Sequence, residues 1–375
     1  MRIGILGGGQ LGRMLALAGY PLGLHFRGLD PAPEAPLGHV AELLVASYDD
    51  RLALEQFATG LDCVTYEFEN VPGTTAEFLA TRLPVLPPPV ALFRAQDRLE
   101  EKQLFESCGI PVPRYAPISS PEDFGPAIET VPFPAVLKTR RFGYDGHGQK
   151  RVRQPAELPR AWEELGRVSC LLEEFVPFDY EVSLLGARSR TGEIAFYPLV
   201  ENHHTEGILA LSRAPASRAS RTLQEQAERS VAALLEELSY VGILAVEFFV
   251  VGETLLANEM APRVHNSGHW TIEGAETSQF EQHLRAILGW PLGSTAMRGY
   301  AAMINLLGSL PPIESLLAIP NVHVHLYGKT PRPRRKLGHV TIRAESPEER
   351  DELVRLVLSI VEFPQPVTIE QNRWG

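Results

Sequence analysis

Glu247 and Glu259 are two carboxylates set in strongly apolar surroundings in the second half of the sequence. Two runs rich in β-branched and other apolar residues, 242–251 and 255–260, flank a short glycine-containing turn, so a β-hairpin is predicted. With a three-residue turn centred on Glu253, the two glutamates lie directly opposite each other. A two-residue turn would break that pairing.

The facing glutamates predict a metal site. Like charges placed opposite each other destabilise a hairpin, and burying a carboxylate without a partner costs on the order of several kcal/mol. A divalent cation between the two groups would remove both penalties. Ligands that offer only oxygen favour Mg²⁺, with Mn²⁺ as the alternative, and such a cation bridges to phosphate oxygens. The competing interpretation is a solvent-facing sheet edge, which the apolar flanks disfavour.

Strict alternation of side chains along each strand assigns apolar neighbours to both glutamates. Those predicted to share the face of Glu247 are Ile243, Ala245, Phe249 and Val251. Those predicted to share the face of Glu259 are Leu255 and Ala257.

Three potential anion donors follow the hairpin within four residues: Arg263, His265 and Asn266. Beside a metal, such a cluster suits a second substrate that is a small oxyanion. A polar loop without a ligand is the alternative, and the adjacency to the predicted metal disfavours it.

A second glycine-containing segment, residues 139–150, joins two predicted strands. Gly143 and Gly148 have Walker-A spacing, but Gln149-Lys150 replaces the expected Lys-Ser/Thr and no helix follows, which rejects a P-loop. A glycine flap beside Lys138 can still cover a polyphosphate. A plain glycine-rich hairpin is the alternative.

The N-terminus combines a predicted buried strand, residues 2–6, with a G-x-G-x-x-G segment and a helix. Such a loop presents backbone N–H groups to a phosphate. Asp30 ends the next predicted strand, where a dinucleotide-binding fold often has its ribose-binding acid. A nicotinamide-dependent dehydrogenase is therefore one hypothesis, and a glycine turn needed only for packing is another.

Further polar residues follow predicted strands. Glu67 and Asn70 come after residues 63–66 and could bind ribose hydroxyls, although Asn70 could equally cap a helix. The strand-like run 170–176 followed by Glu181 suits an adenine slot with a ribose acceptor. The remaining polar segments are residues 202–207, predicted to be a polar loop, and residues 330–335, a basic loop that could grip a phosphorylated substrate or be merely solvated.

Strands and helices alternate along much of the chain, which predicts an α/β protein of two or three domains. The predicted helices include residues 51–58, 95–105, 222–237, 279–288 and 348–361. A proline-rich linker at 84–89 closes the first domain.

Composition restricts the function. The formal net charge of −11 disfavours generic nucleic-acid binding. Three cysteines far apart suit a reducing cytoplasm and no disulfide framework. No stretch approaches the roughly 20 apolar residues of a membrane span.

The motifs as a set resemble the ATP-grasp superfamily and, within it, the 5-(carboxyamino)imidazole ribonucleotide synthetase family of purine biosynthesis. The resemblance rests on four segments in the family's order: residues 7–14, 143–149, 258–271 and 336–339. It implies an α/β fold, α+β in the ATP-grasp part, with three domains. These are a Rossmann-like N-terminal domain at 1–92, an ATP-grasp module at 93–290 with a small lid at about 114–172, and a C-terminal domain at 291–375.

The implied reaction joins bicarbonate to the exocyclic amine of 5-aminoimidazole ribonucleotide and cleaves ATP to ADP and phosphate. ATP would first phosphorylate bicarbonate to carboxyphosphate, and the amine would capture this intermediate or the carbon dioxide released from it. The resemblance also implies a homodimer without nucleic-acid or membrane partners.

The resemblance carries roles to matching positions. Contacts with ATP are implied for Arg98, Lys138, Gly143, Tyr144, Asp145, Gly146, His147, Gly148, Gln149, Glu173, Glu174, Phe175, Val176, Glu181, His204, Asn258 and Glu259. Contacts with the ribonucleotide are implied for Gln10, Leu11, Glu67, Asn70, Tyr144, Asp145, Lys329, Arg332 and Arg335. Catalytic roles are implied for Asp145, Arg263, His265 and Asn266, and metal ligation for Glu247 and Glu259. Of these, Asp145 is best placed to orient the amine or take its proton.

Two alternatives stay open at this point. A sister ATP-grasp ligase, such as formate-dependent glycinamide ribonucleotide transformylase, shares the fold and the metal pair but differs in acceptor and oxyanion. The less favoured alternative is an NAD-dependent dehydrogenase or a catalytically silent nucleotide sensor.

Overall fold

A computed structural model describes residues 1–143 and 147–361 of the chain. Its strands are β1 Arg2–Leu6, β2 His25–Asp30, β3 Glu42–Val45, β4 Cys63–Tyr66, β5 Tyr115–Ile118, β6 Ala135–Thr139, β7 Gln149–Val152, β8 Cys170–Glu174, β9 Tyr180–Arg188, β10 Ile194–Phe196, β11 Val200–Thr205, β12 Ile208–Ala214, β13 Gly242–Val251, β14 Thr254–Ala261, β15 Tyr300–Leu307, β16 Val322–Leu326 and β17 Lys336–Ala344. Its helices are α1 Gln10–Gly19, α2 Arg51–Ala58, α3 Gly73–Ala80, α4 Pro89–Ala95, α5 Arg98–Ser107, α6 Phe124–Thr130, α7 Leu158–Glu164, α8 Arg221–Glu237, α9 Thr271–Gly274, α10 Gln279–Leu288, α11 Ile313–Leu317 and α12 Pro347–Ile360.

The N-terminal part is a parallel sheet in the order β3-β2-β1-β4. Strand β4 is buried along its whole length and β1 from its second residue on, as expected when helices cover both faces of a parallel sheet. The helix after β1 follows a glycine turn, so the carboxyl edge of this sheet carries the first motif. The predicted Rossmann-like arrangement is confirmed.

A small antiparallel sheet in the order β5-β8-β6-β7 forms a separate unit with its own core. Helices α6 and α7 pack on it through Ala127, Leu158 and Trp162. The ends of β6 and β7 hold the second glycine segment.

The remaining strands form one antiparallel sheet in the order β14-β13-β9-β11-β12-β15-β17-β16, with β10 paired to β9. Helix α8 packs on one face of β13 and β9 and α10 on the other. The sheet is continuous across residue 290, where the sequence places a domain boundary, because β12 pairs with β15. The domain limits therefore stay predictions, while the predicted α/β class with an α+β middle is confirmed.

The glutamate hairpin differs from its prediction in two ways that cancel. Val251 pairs with Thr254, so the turn holds two residues and not three. The register then shifts by one residue, leaving Asn258 as a β-bulge, and Glu247 pairs with Glu259 after all.

The bulge also reverses part of the predicted alternation. Leu255 and Ala257 pair with Val250 and Phe248 and pack in the same apolar cluster as those residues, on the face opposite Glu247. The prediction that they share the face of Glu259 is wrong, because one extra residue flips every side chain beyond it.

The segment 202–207 is also not a loop. Residues 202–205 belong to β11, paired with β9 and β12, and only Glu206 and Gly207 form the turn. The predicted helix at 95–105 is two helices, α4 and α5, separated at Gln96 and Asp97. Within the described ranges, no helix has the length and apolarity needed to span a bilayer.

Candidate active site

Two cavities share a wall that contains Glu247 and Glu259. Their volumes are about 690 Å³ and about 520 Å³. Arg98 and His147 also line both. The glutamate pair therefore stands where the contents of the two cavities would meet.

The site residues named from the sequence divide between these cavities. Those lining only the larger are Gln10, Leu11, Glu67, Asn70, Gly143, Arg263, His265, Asn266, Lys329, Arg332 and Arg335. Those lining only the smaller are Lys138, Gln149, Glu173, Glu174, Phe175, Val176, Glu181, His204 and Asn258. Gly148 lines neither, and Tyr144, Asp145 and Gly146 lie outside the described residues. The roles of all these residues stay predictions.

The negative charge of Glu247 is only partly balanced by nearby positive charge. Burial raises the pKa of its carboxyl to about 7, and the negative charge of Glu259 adds to the rise, against the opposing charge of His204. Glu259 accepts a hydrogen bond from Arg98 Nη1 at 3.1 Å. Burial by itself would lower the pKa of Arg98, but the charges of Glu259, Glu173 and Glu101 together outweigh it and the pKa is raised.

The donor set fits a hard divalent cation that completes its shell with other oxygens. Asn258, the bulge residue between the strands, has a buried side-chain Oδ1 without a hydrogen-bond partner in the described structure. Over residues 1–143 and 147–361, no group of three or more His, Cys, Asp or Glu side chains is arranged to hold a metal. Two carboxylates from one hairpin leave most positions to phosphate and water, which is how Mg²⁺ usually binds beside nucleotides.

Glu173 is the opposite case in the wall of the smaller cavity. Its Oε2 lies 2.9 Å from Lys138 Nζ and 3.6 Å from Lys102 Nζ. Burial by itself would raise the pKa of this carboxyl, but the two lysines outweigh it and hold the pKa at about 2. Lys102 is fully buried and also donates to the carbonyl oxygens of Ala257 and Asn258, so it connects α5 to the glutamate hairpin.

His204 is a cation held by Glu181. Its Nδ1 lies 2.5 Å from Glu181 Oε2, on neighbouring strands of the large sheet. Burial by itself would lower the pKa of His204, but Glu181 outweighs it and raises the pKa to about 9. At neutral pH the smaller cavity therefore presents a positive imidazolium near the glutamate pair.

The three anion donors predicted after the hairpin differ in what they offer. Arg263 donates from Nε to Glu69 Oε2 at 2.6 Å, which orients its guanidinium. The amide of Asn266 is buried at the larger cavity, and neither its Oδ1 nor its Nδ2 has a partner among the described residues. Burial lowers the pKa of His265 well below its ordinary value, and the positive charge of Arg263 adds to this, so the imidazole is neutral.

Three N–H groups of the first glycine motif donate to carboxylates of the protein itself. The N–H groups of Gly9 and Gly12 donate to the two carboxylate oxygens of Glu67, at 2.9 Å for Gly12. The N–H of Gly8 donates to Asp30 Oδ2 at 2.7 Å. A Cβ at Gly9 would clash with Glu67 Oε1, so glycine is required there by this close approach.

Two predictions are affected. Phosphate binding by the turn stays a prediction, with the N–H groups of Gly8, Gly9 and Gly12 already donating to carboxylates. Asp30 is not free to bind a ribose, which removes the main support for the dehydrogenase hypothesis. Glu67 lines the larger cavity as predicted for a substrate contact, but its oxygens already accept from the loop.

The basic loop before β17 provides the positive charge of the larger cavity. Arg332, Arg335 and Lys336 all line it, and Lys329 Nζ donates to Gln10 Oε1 from across the cleft. Burial, with the charges of Arg335 and Lys336, lowers the pKa of Lys329 to about 8 against the opposing effect of Glu67. A bound anion would relieve this crowding of positive charge.

The small antiparallel unit β5-β8-β6-β7, the predicted lid, is anchored at the base of the glycine segment. Arg140 donates to both carboxylate oxygens of Asp97 at 2.8 Å, and Asp97 also caps α5 through the N–H of Leu99. Arg98, the next residue, reaches Glu259. The first residue of α5 and its cap therefore connect the lid to the glutamate pair.

Sequence reasoning missed Glu101 and Lys102, which are buried beneath the site. Glu101 accepts from the N–H of Met260 at 2.7 Å, and burial raises its pKa to about 8. The signal was present in the spacing, because residues 98, 101 and 102 fall on one helical face with the buried Phe105. Glu69, the partner of Arg263, carried no signal beyond its position after β4.

Comparison with known proteins agrees with this geometry. Family models match three consecutive parts of the chain: a ribonucleotide synthetase preATP-grasp domain at residues 1–96, an ATP-grasp domain at 103–280, and a phosphoribosylaminoimidazole carboxylase C-terminal domain at 301–353. N5-carboxyaminoimidazole ribonucleotide synthase of Pseudomonas aeruginosa is 53% identical over 343 residues, 92% of this chain and 94% of that protein.

Solved structures give the same result. The crystal structure of N5-carboxyaminoimidazole ribonucleotide synthetase from Thermus thermophilus is 57% identical, with a TM-score of 0.94 over 97% of this chain and 100% of that one. The N5-carboxyaminoimidazole synthase of Aspergillus clavatus, in complex with ADP and 5-aminoimidazole ribonucleotide, is 30% identical, with a TM-score of 0.89 over 96% and 98%. The resemblance drawn from the motifs is confirmed, and the chain belongs to the N5-carboxyaminoimidazole ribonucleotide synthase family of ATP-grasp ligases.

Proposed function

We propose that this chain carboxylates the exocyclic amine of 5-aminoimidazole ribonucleotide with bicarbonate, using ATP with Mg²⁺ and passing through carboxyphosphate. As a member of its family it is an ATP-dependent carbon–nitrogen ligase of purine biosynthesis. The observation that carries the finer proposal is the glutamate pair in the wall shared by two cavities. One cavity has the basic loop, and the other has the Glu173–Val176 strand end.

The smaller cavity suits ATP. The end of β8 with Phe175 and Val176 lies along it, and positive groups at Lys138 and His204 face a polyphosphate. The proposed ligands for Mg²⁺ are Glu247 and Glu259, with the Asn258 amide oxygen beside them. When bound, this cation would neutralise charge on the phosphates during phosphoryl transfer.

The larger cavity suits the ribonucleotide and the oxyanion. The basic loop and Lys329 supply charge for a phosphate monoester. Arg263, oriented by Glu69, and the unpartnered amide of Asn266 can hydrogen-bond bicarbonate or carboxyphosphate. Asp145, outside the described residues, stays the predicted group that orients the amine or takes its proton.

The chemistry follows from the two cavities meeting. A bicarbonate oxygen attacks the γ-phosphorus of ATP, and ADP leaves. The amine nitrogen then attacks the carboxyl carbon of carboxyphosphate, or the carbon dioxide released from it, and phosphate departs. Because carboxyphosphate hydrolyses in bulk water, the lid must close over the site first.

The proposal also includes the cellular compartment and the oligomeric state. Three free cysteines, two of them buried, suit the reducing cytoplasm. The family resemblance supports a homodimer.

Phosphate release from ATP tests the proposed substrates. With Mg²⁺ present, we expect release to require both bicarbonate and 5-aminoimidazole ribonucleotide at full rate. Glycinamide ribonucleotide with formate is the matched control pair for the sister ligase. Stimulation by that pair but not by bicarbonate would overturn the proposal.

A further inference from the structure

A chain of hydrogen bonds between neutral, buried side chains crosses the large sheet and ends on His265. Ser212 on β12, Asn202 on β11 and Ser183 on β9 are 0%, 4% and 0% exposed, and Ser267 after β14 is 0% exposed. Neighbouring members are joined at 2.8 Å, 3.0 Å and 2.8 Å, and Ser267 Oγ lies 2.9 Å from His265 Nδ1. These four residues are called the polar ladder below.

The direction of every bond in the polar ladder is determined by one backbone amide. The N–H of Ser267 donates to His265 Nδ1 at 3.3 Å, and an amide N–H can only donate, so Nδ1 carries no proton. The hydroxyl of Ser267 therefore donates to Nδ1 as well. Ser183 must then donate to Ser267, Asn202 Nδ2 to Ser183, and Ser212 to Asn202 Oδ1, because each hydroxyl has a single proton.

The consequence is a single tautomer of His265. With Nδ1 an acceptor, the proton of the neutral ring sits on Nε2. This atom lies 3.7 Å from Glu247 Oε1, and His265 lines the larger cavity. The backbone of His265 is held too, since Gln279 donates to its carbonyl at 2.6 Å and accepts from its N–H at 2.8 Å.

We infer that Ser183, Asn202, Ser212 and Ser267 are positioning residues that hold His265 as a hydrogen-bond donor, through Nε2–H, to the oxyanion of the reaction. This rests on the proposed function, which brings bicarbonate to that cavity. His265 then stabilises negative charge on bicarbonate or carboxyphosphate, and it is not the base that accepts the proton of the amine. A base at this position would need a bare Nε2, and the polar ladder would have to reverse throughout.

The tautomer is tested first, in the substrate-free protein. Two-bond ¹H–¹⁵N correlation spectra of protein labelled with ¹⁵N-histidine separate the two nitrogens of each ring. We expect His265 to carry its proton on Nε2, with assignment by comparison with His265→Gln. A spectrum with the proton on Nδ1 would overturn the inference.

Kinetics then test whether the ladder acts through His265. Ser267→Ala removes the last donor, and we expect kcat to fall roughly tenfold with KM for ATP nearly unchanged, as loss of one oriented hydrogen bond would cause. The same change at Ser183 and at Ser212 should give progressively smaller losses, because each lies one bond further away. The spectrum of Ser267→Ala should show a mixture of tautomers.

Ser189→Ala is the matched control. Ser189 is also fully buried, and among residues 1–143 and 147–361 its hydroxyl bonds only within the turn after β9, to Thr191 and Glu193. It should leave both kcat and the His265 spectrum unchanged. Equal rates and spectra for the ladder variants and the wild type would refute the inference, as would losses of equal size at Ser189.

The graded series stays informative if Ser267→Ala does not fold, since Ser183→Ala and Ser212→Ala report on the same ladder. Failure of the function proposal is distinguishable, because the spectra need no substrate. A wild-type protein without bicarbonate-dependent phosphate release would contradict the function and leave the tautomer result standing.

Discussion

Glu173, which is buried, and Glu247, which is partly buried, both line the smaller cavity, but their charges are balanced differently. Glu173 has two lysines within 3.6 Å, and its pKa is held at about 2. Glu247 faces a second carboxylate across the hairpin, and burial raises its pKa to about 7. One carboxylate is fully charged and paired inside the protein, and the other is left short of positive charge.

The difference separates structural from ligand-binding acids. A paired carboxylate joins the core: Glu173 connects the lid strand β8 to α5 through Lys102. An underpaired one stores unfavourable free energy that the proposed cation would release on binding. Desolvation with incomplete pairing is a common mark of functional sites.

The largest expected effect is on the paired side. Glu173→Gln leaves Lys102 and Lys138 near each other without a counter-ion, so we expect a loss of about 3–5 kcal/mol in the free energy of unfolding. Urea denaturation measures this loss. Glu174→Gln is the control, because its partner Arg114 is 66% exposed, and such surface pairs contribute at most about 1 kcal/mol. Equal losses of unfolding free energy for both variants would contradict the assignment of Glu173 as a buried, structurally paired acid.

The next effect is on the underpaired side, where stability and activity should move in opposite directions. Glu247→Gln should lower turnover by at least about a hundredfold, as loss of a metal ligand does. Without Mg²⁺ at pH 8, the same variant should melt at a higher temperature than the wild type, because the cost of burying the charge, together with the repulsion by Glu259 and Glu181, exceeds the attraction of His204. Calorimetry in EDTA and the phosphate-release assay measure the two quantities.

The control for this variant is Glu237→Gln, at an exposed position near the end of α8. It should change neither the melting temperature nor the rate. Near-normal turnover of Glu247→Gln, or a lower melting temperature in EDTA, would show that Glu247 belongs with Glu173 as a structural acid.

The smallest effect concerns His204, whose positive charge is stabilised by Glu181. Its pKa of about 9 in the folded protein lies above the ordinary histidine value of about 6.5. The pair therefore stabilises the fold fully below pH 6.5, and its contribution is lost as the pH rises through about 9. The melting-temperature difference between wild type and His204→Gln should shrink over that interval.

His25→Gln, at an exposed histidine, provides the control for the loss of a histidine as such. A wild-type advantage over His204→Gln that is constant from pH 6 to 9.5 would mean that the imidazole is not held as a cation by Glu181.

Local structure was largely predictable from the sequence. Helices α2 and α10 and strand β4 occur at the predicted bounds, because apolar spacing and turn residues within each segment decide them. The glutamate pairing was also predicted, but from the wrong turn length. A bulge at Asn258 leaves no trace in the hydrophobic pattern, so the faces of Leu255 and Ala257 were assigned wrongly.

Burial of polar residues was the main source of error. Asn202 was placed in a polar loop because alternation rules expect apolar side chains on a buried face. In the structure it lies on β11 and is 4% exposed, with Ser183 and Ser212 as partners from neighbouring strands. Those partners are 19 and 10 residues away along the chain, and a pattern within one segment does not reveal them.

The sequence by itself determined the kinds of groups this protein has: oxygen ligands on a hairpin, cations in the loop before β17, glycines at two turns, and motifs of one ligase family. Only the tertiary structure decided which of these groups stay available to a ligand. The amides of Gly9 and Gly12 are taken by Glu67, whereas the amide of Asn266 has no partner in the described structure. The physical reason is that hydrogen-bond saturation and desolvation depend on neighbours brought together by folding, often from distant parts of the chain.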